Sequence, residues 1–178
     1  PGGVELVTLL SLVNPFRRYA ERFGGADAAA IAATAEDAIE AYHDPEFETA
    51  AGSTGVVANT PAPADLSLVD AWYFLWPIVQ TAEYARETGS ERVTEIALDA
   101  ADAAIDAGRA VDYVFPMWLN VRDLEAVTPA ETDWQGHQYD CTGAYVYLML
   151  QFFDLSGEGR YLAEAERAAD RLLSMGFE

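Results

Sequence analysis

The densest set of reactive side chains is the segment Asp133-Trp134-Gln135-Gly136-His137-Gln138-Tyr139-Asp140. It offers two carboxylates, an imidazole, a phenol and an indole within eight residues. Such groups supply proton donors and acceptors beside a flat apolar surface on which a sugar ring can stack. A structural alternative covers the same residues: Asp133 or Asp140 caps a helix, and His137 and Tyr139 pack at its end. Asp70, with Trp72 beside it, is the positional counterpart in an earlier segment. Its alternative is the N3 position of a capping box opened by Ser67. Used together, Asp70 and Asp140 would make the carboxylate pair of glycoside chemistry, whose separation distinguishes retention from inversion.

A second set comprises Trp118, Arg122, Asp123 and Glu125. Arg122 would grip a ligand carboxylate through two N–H groups and Trp118 would stack on a sugar, whereas a salt-bridged loop explains them equally well. Cys141 lies in an apolar run and reads as buried packing rather than a nucleophile. His43 and His137 are the only histidines and are not one helical turn apart, so no metal site is expected. There is no calcium-loop pattern, phosphate-binding loop, dinucleotide fingerprint or nucleophile elbow, and no cofactor is expected.

Helical hairpins must position these groups. At an offset of 68 residues Gly89, Arg92, Ala97, Asp102 and Gly108 fall on Gly157, Arg160, Ala165, Asp170 and Gly176. A third copy lies 65 residues upstream, where Tyr19, Gly24 and Asp37 match Tyr84, Gly89 and Asp102. Repetition of this kind marks stacked units that bury one another's apolar faces. The expectation is an all-α fold in one domain, with units of about 4–43, 66–108 and 137–176.

Within that plan, helix 4–23 breaks at Pro15, Asp27 caps the helix to His43, and Gly108 ends the helix from Glu91. Pro77 either kinks the second unit's first helix or marks its first turn. Val111–Phe115 is the only β-like run. Thr128-Pro129-Ala130-Glu131 reads as a capped turn. Turns inside hairpins are short, whereas the connections Asp44–Ala64 and Arg109–Gly136 are long, and long loops of this kind are usually functional. Both deliver the chain to the N-terminus of an aromatic first helix, so loops and those N-termini share one rim. The second helices, rich in Ala, Glu and Asp, belong on the outside. The recurring Asp102 and Asp170 are structural by this reading, and Arg92 and Arg160 anchor the turns.

Thirty acidic residues stand against ten basic ones, for a net charge of −20, and every basic residue is Arg. A Lys-free acidic globular chain resembles halophilic archaeal proteins, in which carboxylates hold water and counterions at high salt. Self-repulsion weakens such a fold at low salt and is screened at high salt. Nucleic acid and anionic membrane are unsuitable partners. The apolar run Val4–Val13 is too short to span a bilayer. One cysteine rules out an internal disulfide framework, and localisation is unassigned.

The segments Thr88-Gly89-Ser90-Glu91-Arg92-Val93 and Ser156-Gly157-Glu158-Gly159-Arg160-Tyr161-Leu162-Ala163-Glu164-Ala165 resemble the turn motif of (α/α) toroid proteins. These include six-hairpin glycosidases, unsaturated glucuronyl hydrolases, β-L-arabinofuranosidase-type hydrolases, and the helical domains of N-acylglucosamine and uronyl epimerases. Trp76-Pro77 before Gln80–Tyr84 is similar to their inner helices. The resemblance spans about Leu66–Gly176, and more weakly Tyr19–Tyr42. It implies architecture more than reaction, because the motif is a packing turn on the far rim. The chain supplies about half the helices of a closed toroid, which points to part of a larger chain, an open arc, or self-association.

The resulting expectation is a carbohydrate-active enzyme or part of one. It would hydrolyse a glycan, without a cofactor, through Asp140, His137 and Asp70, with Trp72, Trp118, Arg122, Asp133, Trp134 and Tyr139 binding substrate. A uronate-containing glycan is one variant, and uronyl epimerisation or elimination stand behind hydrolysis. The alternatives are a non-catalytic module binding a glycan or protein, and a helical domain that stabilises a larger enzyme.

Overall fold

The computed structural model describes residues 4–24, 27–128 and 137–175. Asp133 and Trp134 lie outside the described residues, as do Gly25, Gly176 and most of the turn at Thr128–Glu131.

The first hairpin pairs α1 (Leu6–Phe23) with α2 (Ala28–Tyr42). The second pairs α3 (Ala71–Thr88) with α4 (Glu91–Asp99) and α5 (Ala101–Ala110). Ala100 between α4 and α5 is itself helical (φ −78°, ψ −5°), so the two form one interrupted second helix. The third hairpin pairs α6 (Tyr139–Ser156) with α7 (Gly159–Ser174). The first helices α1, α3 and α6 neighbour one another in that order, and α2 packs on α4. Fully buried Phe74, Ile78, Tyr84, Tyr145 and Phe152 from α3 and α6 form much of the shared core.

The repeated glycines act as helix stops. Gly24, Gly89 and Gly157 are left-handed C-caps at φ 77°, 66° and 72°, each N–H closing on a carbonyl four residues back. Glycine takes that conformation without the Cβ clash other residues meet. The repeated arginine and aspartate act between hairpins, and Arg160 also holds Glu158 within its own turn at 2.8 Å. Arg92 pairs with Asp37 and Glu40 of the preceding hairpin, and Arg160 pairs with Asp102 of the one before it.

Several helix boundaries differ from the sequence reading. Pro15 and Pro77 lie inside continuous helices. Asp27 sits at the α2 N-cap without a side-chain capping bond. Gly108 is buried within α5, where a Cβ would lie 2.7 Å from the Tyr145 ring; this glycine permits close packing of α5 on α6 and stops nothing. Nor does α1 turn all its aromatics inward: Leu12, Phe16, Tyr19 and Phe23 form an exposed stripe.

The all-α expectation narrows to a mostly helical fold, because the long connections carry small sheets. Strand β1 (His43–Glu48) pairs antiparallel with β2 (Thr54–Val57). Strands β3 (Val69–Asp70), β4 (Trp118–Asn120) and β5 (Glu125–Ala126) form a second antiparallel sheet in that order. Val111–Phe115 is not a strand, since Asp112 and Tyr113 take positive φ of 51° and 60° in a turn. The β3–β4 pairing joins the two long connections at the N-terminus of α3. Val121 N–H donates to the Leu66 carbonyl and Ala50 N–H to the Arg122 carbonyl, tightening the same seam.

Gly55 in β2 tests how firmly this seam sits on the helices. Its φ is +83°, and a Cβ would fall 2.2 Å from Asp99 Oδ2 and 2.8 Å from the Asp99 carbonyl oxygen. Gly55→Ala is expected to destabilise the fold by about 3 kcal/mol, combining left-handed strain with overpacking. Gly52→Ala, at φ +89° with open space around it, should lose only the strain, about 1 kcal/mol. Denaturant midpoints of the two variants check the difference.

Candidate functional site

Asp70 ends β3 and caps α3, its Oδ1 accepting the Trp72 N–H at 2.8 Å. The cap is Asp70 itself and not Ser67, whose N–H and hydroxyl both donate to Asp65 Oδ1. Those two bonds hold the exposed Asp65 carboxyl below its usual range. Trp118 stands opposite Asp70 in the β3–β4 pairing.

The third hairpin arrives alongside. His137 forms a backbone bridge with Pro116, and Gln138 N–H donates to the Phe115 carbonyl at 2.8 Å. The Gln138 amide then donates to both oxygens of Asp70, at 3.2 Å each, and accepts from Cys141 Sγ at 2.8 Å. Gln138 thereby ties the N-terminus of α6 to that of α3. Asp140 lies in the first turn of α6, where the helix dipole favours an anion. It accepts no hydrogen bond from the described residues.

Asp70, Trp72, His137, Gln138 and Asp140 line one cavity of about 450 Å³. On one side, a cavity of about 330 Å³ shares Asp70 and Tyr73 and adds Trp118, Asp65 and Glu5. On the other, a cavity of about 340 Å³ shares Trp72 and Asp140 and adds Trp76 and Tyr147. The shared linings make one groove along the rim where the long connections meet α3 and α6. Trp72 and Trp76, one helical turn apart, stack at 5.5 Å with 18° between their planes. Tyr147 donates its hydroxyl to Glu83 at 2.8 Å.

All three candidate catalytic residues and Trp72 thus share a cavity, with Trp118 next door. Tyr139 is half exposed with its ring 6.3 Å from that of His137, outside the lining of these cavities. Arg122 is directed elsewhere: its guanidinium covers the Phe47 ring at 4.6 Å and donates to the Glu48 carbonyl. A ligand clamp at Arg122 would require breaking that stack. Asp123 holds Asn120 within its own turn. Gln138 was not singled out by sequence because an amide carries no charge signature, although its place just before a helix at the rim is visible.

Burial, reinforced by the charges of Asp140 and Asp70, pushes the Cys141 thiol well up. It remains a thiol at neutral pH, which removes it as a nucleophile. Among the described residues no three His, Cys, Asp or Glu side chains group as a metal-ligand set, and no helix is long and apolar enough to cross a membrane. No protein-family model matches the chain, and no curated protein matches it at a significant level.

Proposed function

We propose that the chain is part of an (α/α) toroid whose rim groove binds a glycan and hydrolyses a glycosidic bond. Asp140 in its protonated form gives a proton to the leaving-group oxygen as the glycosidic bond breaks, and water adds to the sugar carbon, returning a proton to Asp140. Asp70, held by the Trp72 and Gln138 N–H groups, keeps a carboxylate near the charge that develops on the sugar ring. His137 binds beside them, and Trp72 and Trp118 offer stacking faces. The observation that supports this reading is the meeting of Asp70 and Asp140, from different hairpins, in one cavity beside stacked indoles. A glycan-binding module without turnover is the second reading. It is favoured by the capping role of Asp70, which accounts for that residue without any chemistry.

Incubation with a panel of oligosaccharides, following reducing ends and calorimetric binding together, separates the readings. Turnover supports the hydrolase, saturable binding without release supports the module, and neither overturns both. Trp72→Ala is expected to weaken glycan binding about fivefold in the same calorimetric assay, by loss of a stacking face worth about 1 kcal/mol.

A further inference from the structure

The groove walls differ in kind from the rest of the molecule's charged surface. Its stacking faces are Trp72, Trp76, Tyr73 and Tyr147, the tyrosines 40% and 38% exposed. Four carboxylates interleave with them: Glu5 and Asp65 in the outer cavity, Asp70 where it joins the central one, and Asp140 where the central joins the inner. Among the described residues no arginine lines any of the three cavities. Of the nearby arginines, Arg122 lies on Phe47, and Arg86 pairs with Asp154 while reaching the Tyr147 hydroxyl at the inner end of the groove. Among the described lining residues His137 is the one whose side chain can turn cationic.

Carboxylates and aromatic faces both attract a cation, and both are unfavourable neighbours for an anion. A bound uronate would meet four carboxylates along the groove and a guanidinium, that of Arg86, only beside Tyr147 at its inner end. An ammonium group on a sugar would find Asp70 or Asp140 at its rim and an indole face beneath. Resting on the glycan reading above, we propose that the ligand is an oligosaccharide of amino sugars, bound through its protonated amines. Its sugar faces lie on Trp72 and Trp76 and its ammonium groups reach the groove carboxylates.

The test compares three chains of equal length by calorimetry at constant salt: a free-amine glucosamine oligomer, its N-acetylated form, and a uronate oligomer. At mildly acidic pH the free-amine chain is expected to bind at least about tenfold more tightly than the N-acetylated chain, with no saturable binding of the uronate. Raising the pH until the amine is neutral should erase that margin. Repeating the titrations with His137→Gln separates the charge of the amine from that of the imidazole, which would repel an ammonium and attract a uronate. Glu5→Gln, outside the reacting pair, should narrow the margin without abolishing binding. Equal binding of the free-amine and N-acetylated chains, or tighter binding of the uronate, overturns the charge assignment and leaves the glycan reading standing. Failure of all three to bind, together with a wider neutral panel, overturns both.

Discussion

Asp140→Asn is expected to lower turnover at least about 100-fold, the lower end of what a positioned proton donor contributes. The substitution is isosteric and the site is exposed in the first turn of α6. The fold therefore loses only the helix-dipole interaction, about 0.5 kcal/mol. Binding of a neutral glycan should change by no more than a few-fold, so the loss falls on kcat and not on KM. Asp70→Asn is the informative companion. Asparagine caps a helix nearly as well as aspartate, so α3 survives while the carboxylate charge disappears. Loss of activity in Asp70→Asn with an unchanged denaturant midpoint would mark Asp70 as more than a cap. If both variants turn over substrate at the unmutated rate, the carboxylate mechanism is wrong.

The second large effect is expected away from the groove, at Glu164. This carboxylate is 1% exposed and accepts from Arg109 at 2.6 Å, from the Tyr113 hydroxyl at 2.8 Å and from Arg167. Burial pushes its carboxyl up, but the Arg109 and Tyr113 hydrogen bonds and the two guanidinium charges outweigh that and hold it below the usual range. Either arginine alone still compensates the buried charge, so Arg109→Ala and Arg167→Ala should each lose about 1 kcal/mol. The double variant strands the carboxylate with only a phenol and should lose about 3–5 kcal/mol, more than the sum of the singles.

Its pH dependence should also change sign. In the unmutated chain Glu164 has a depressed folded-state pKa. Its contribution is complete above the unfolded value of about 4.3 and disappears as pH falls from there through the folded value. In the double variant burial dominates and raises the folded-state value. The ionised group then penalises the fold at neutral pH, and stability should recover as pH falls toward about 4. Denaturant unfolding across that range, at fixed salt, checks both the size and the sign. A double variant no weaker than the sum of its singles would show that water already reaches Glu164.

Legibility followed the range of the interactions. The three glycine caps and the helices they end are local, each set by a few neighbouring residues, and they were readable. The strands were not, because His43-Asp44-Pro45-Glu46-Phe47-Glu48 contains residue types depleted in strands. The two-residue β3 owes its state to a partner nearly fifty positions away, Trp118 and Leu119. Gly108 and Gly89 look alike in sequence, and only the Tyr145 ring distinguishes a packing glycine from a cap. In the site, Asp70, His137 and Asp140 could be named from chemistry and their place at helix starts. The placement of Arg122 could not, since its competing partner Phe47 lies in the other connection.

The arginine–aspartate rungs give the chain a direction. Each following hairpin brings the cation three residues after its glycine, and each preceding hairpin supplies the anion, so the two sides of a hairpin are as unlike as plug and socket. The first hairpin breaks the rule, with Asp27 where the others have Arg92 and Arg160. At that position it offers no cation to another hairpin's aspartate. An aspartate of another hairpin placed against Asp27, as Asp102 is against Arg160, would set like charges at the joint. Such a joint tightens only as salt shortens the screening length to about 3 Å near 1 M. Ionic strength would then govern whether that face accepts an acidic surface.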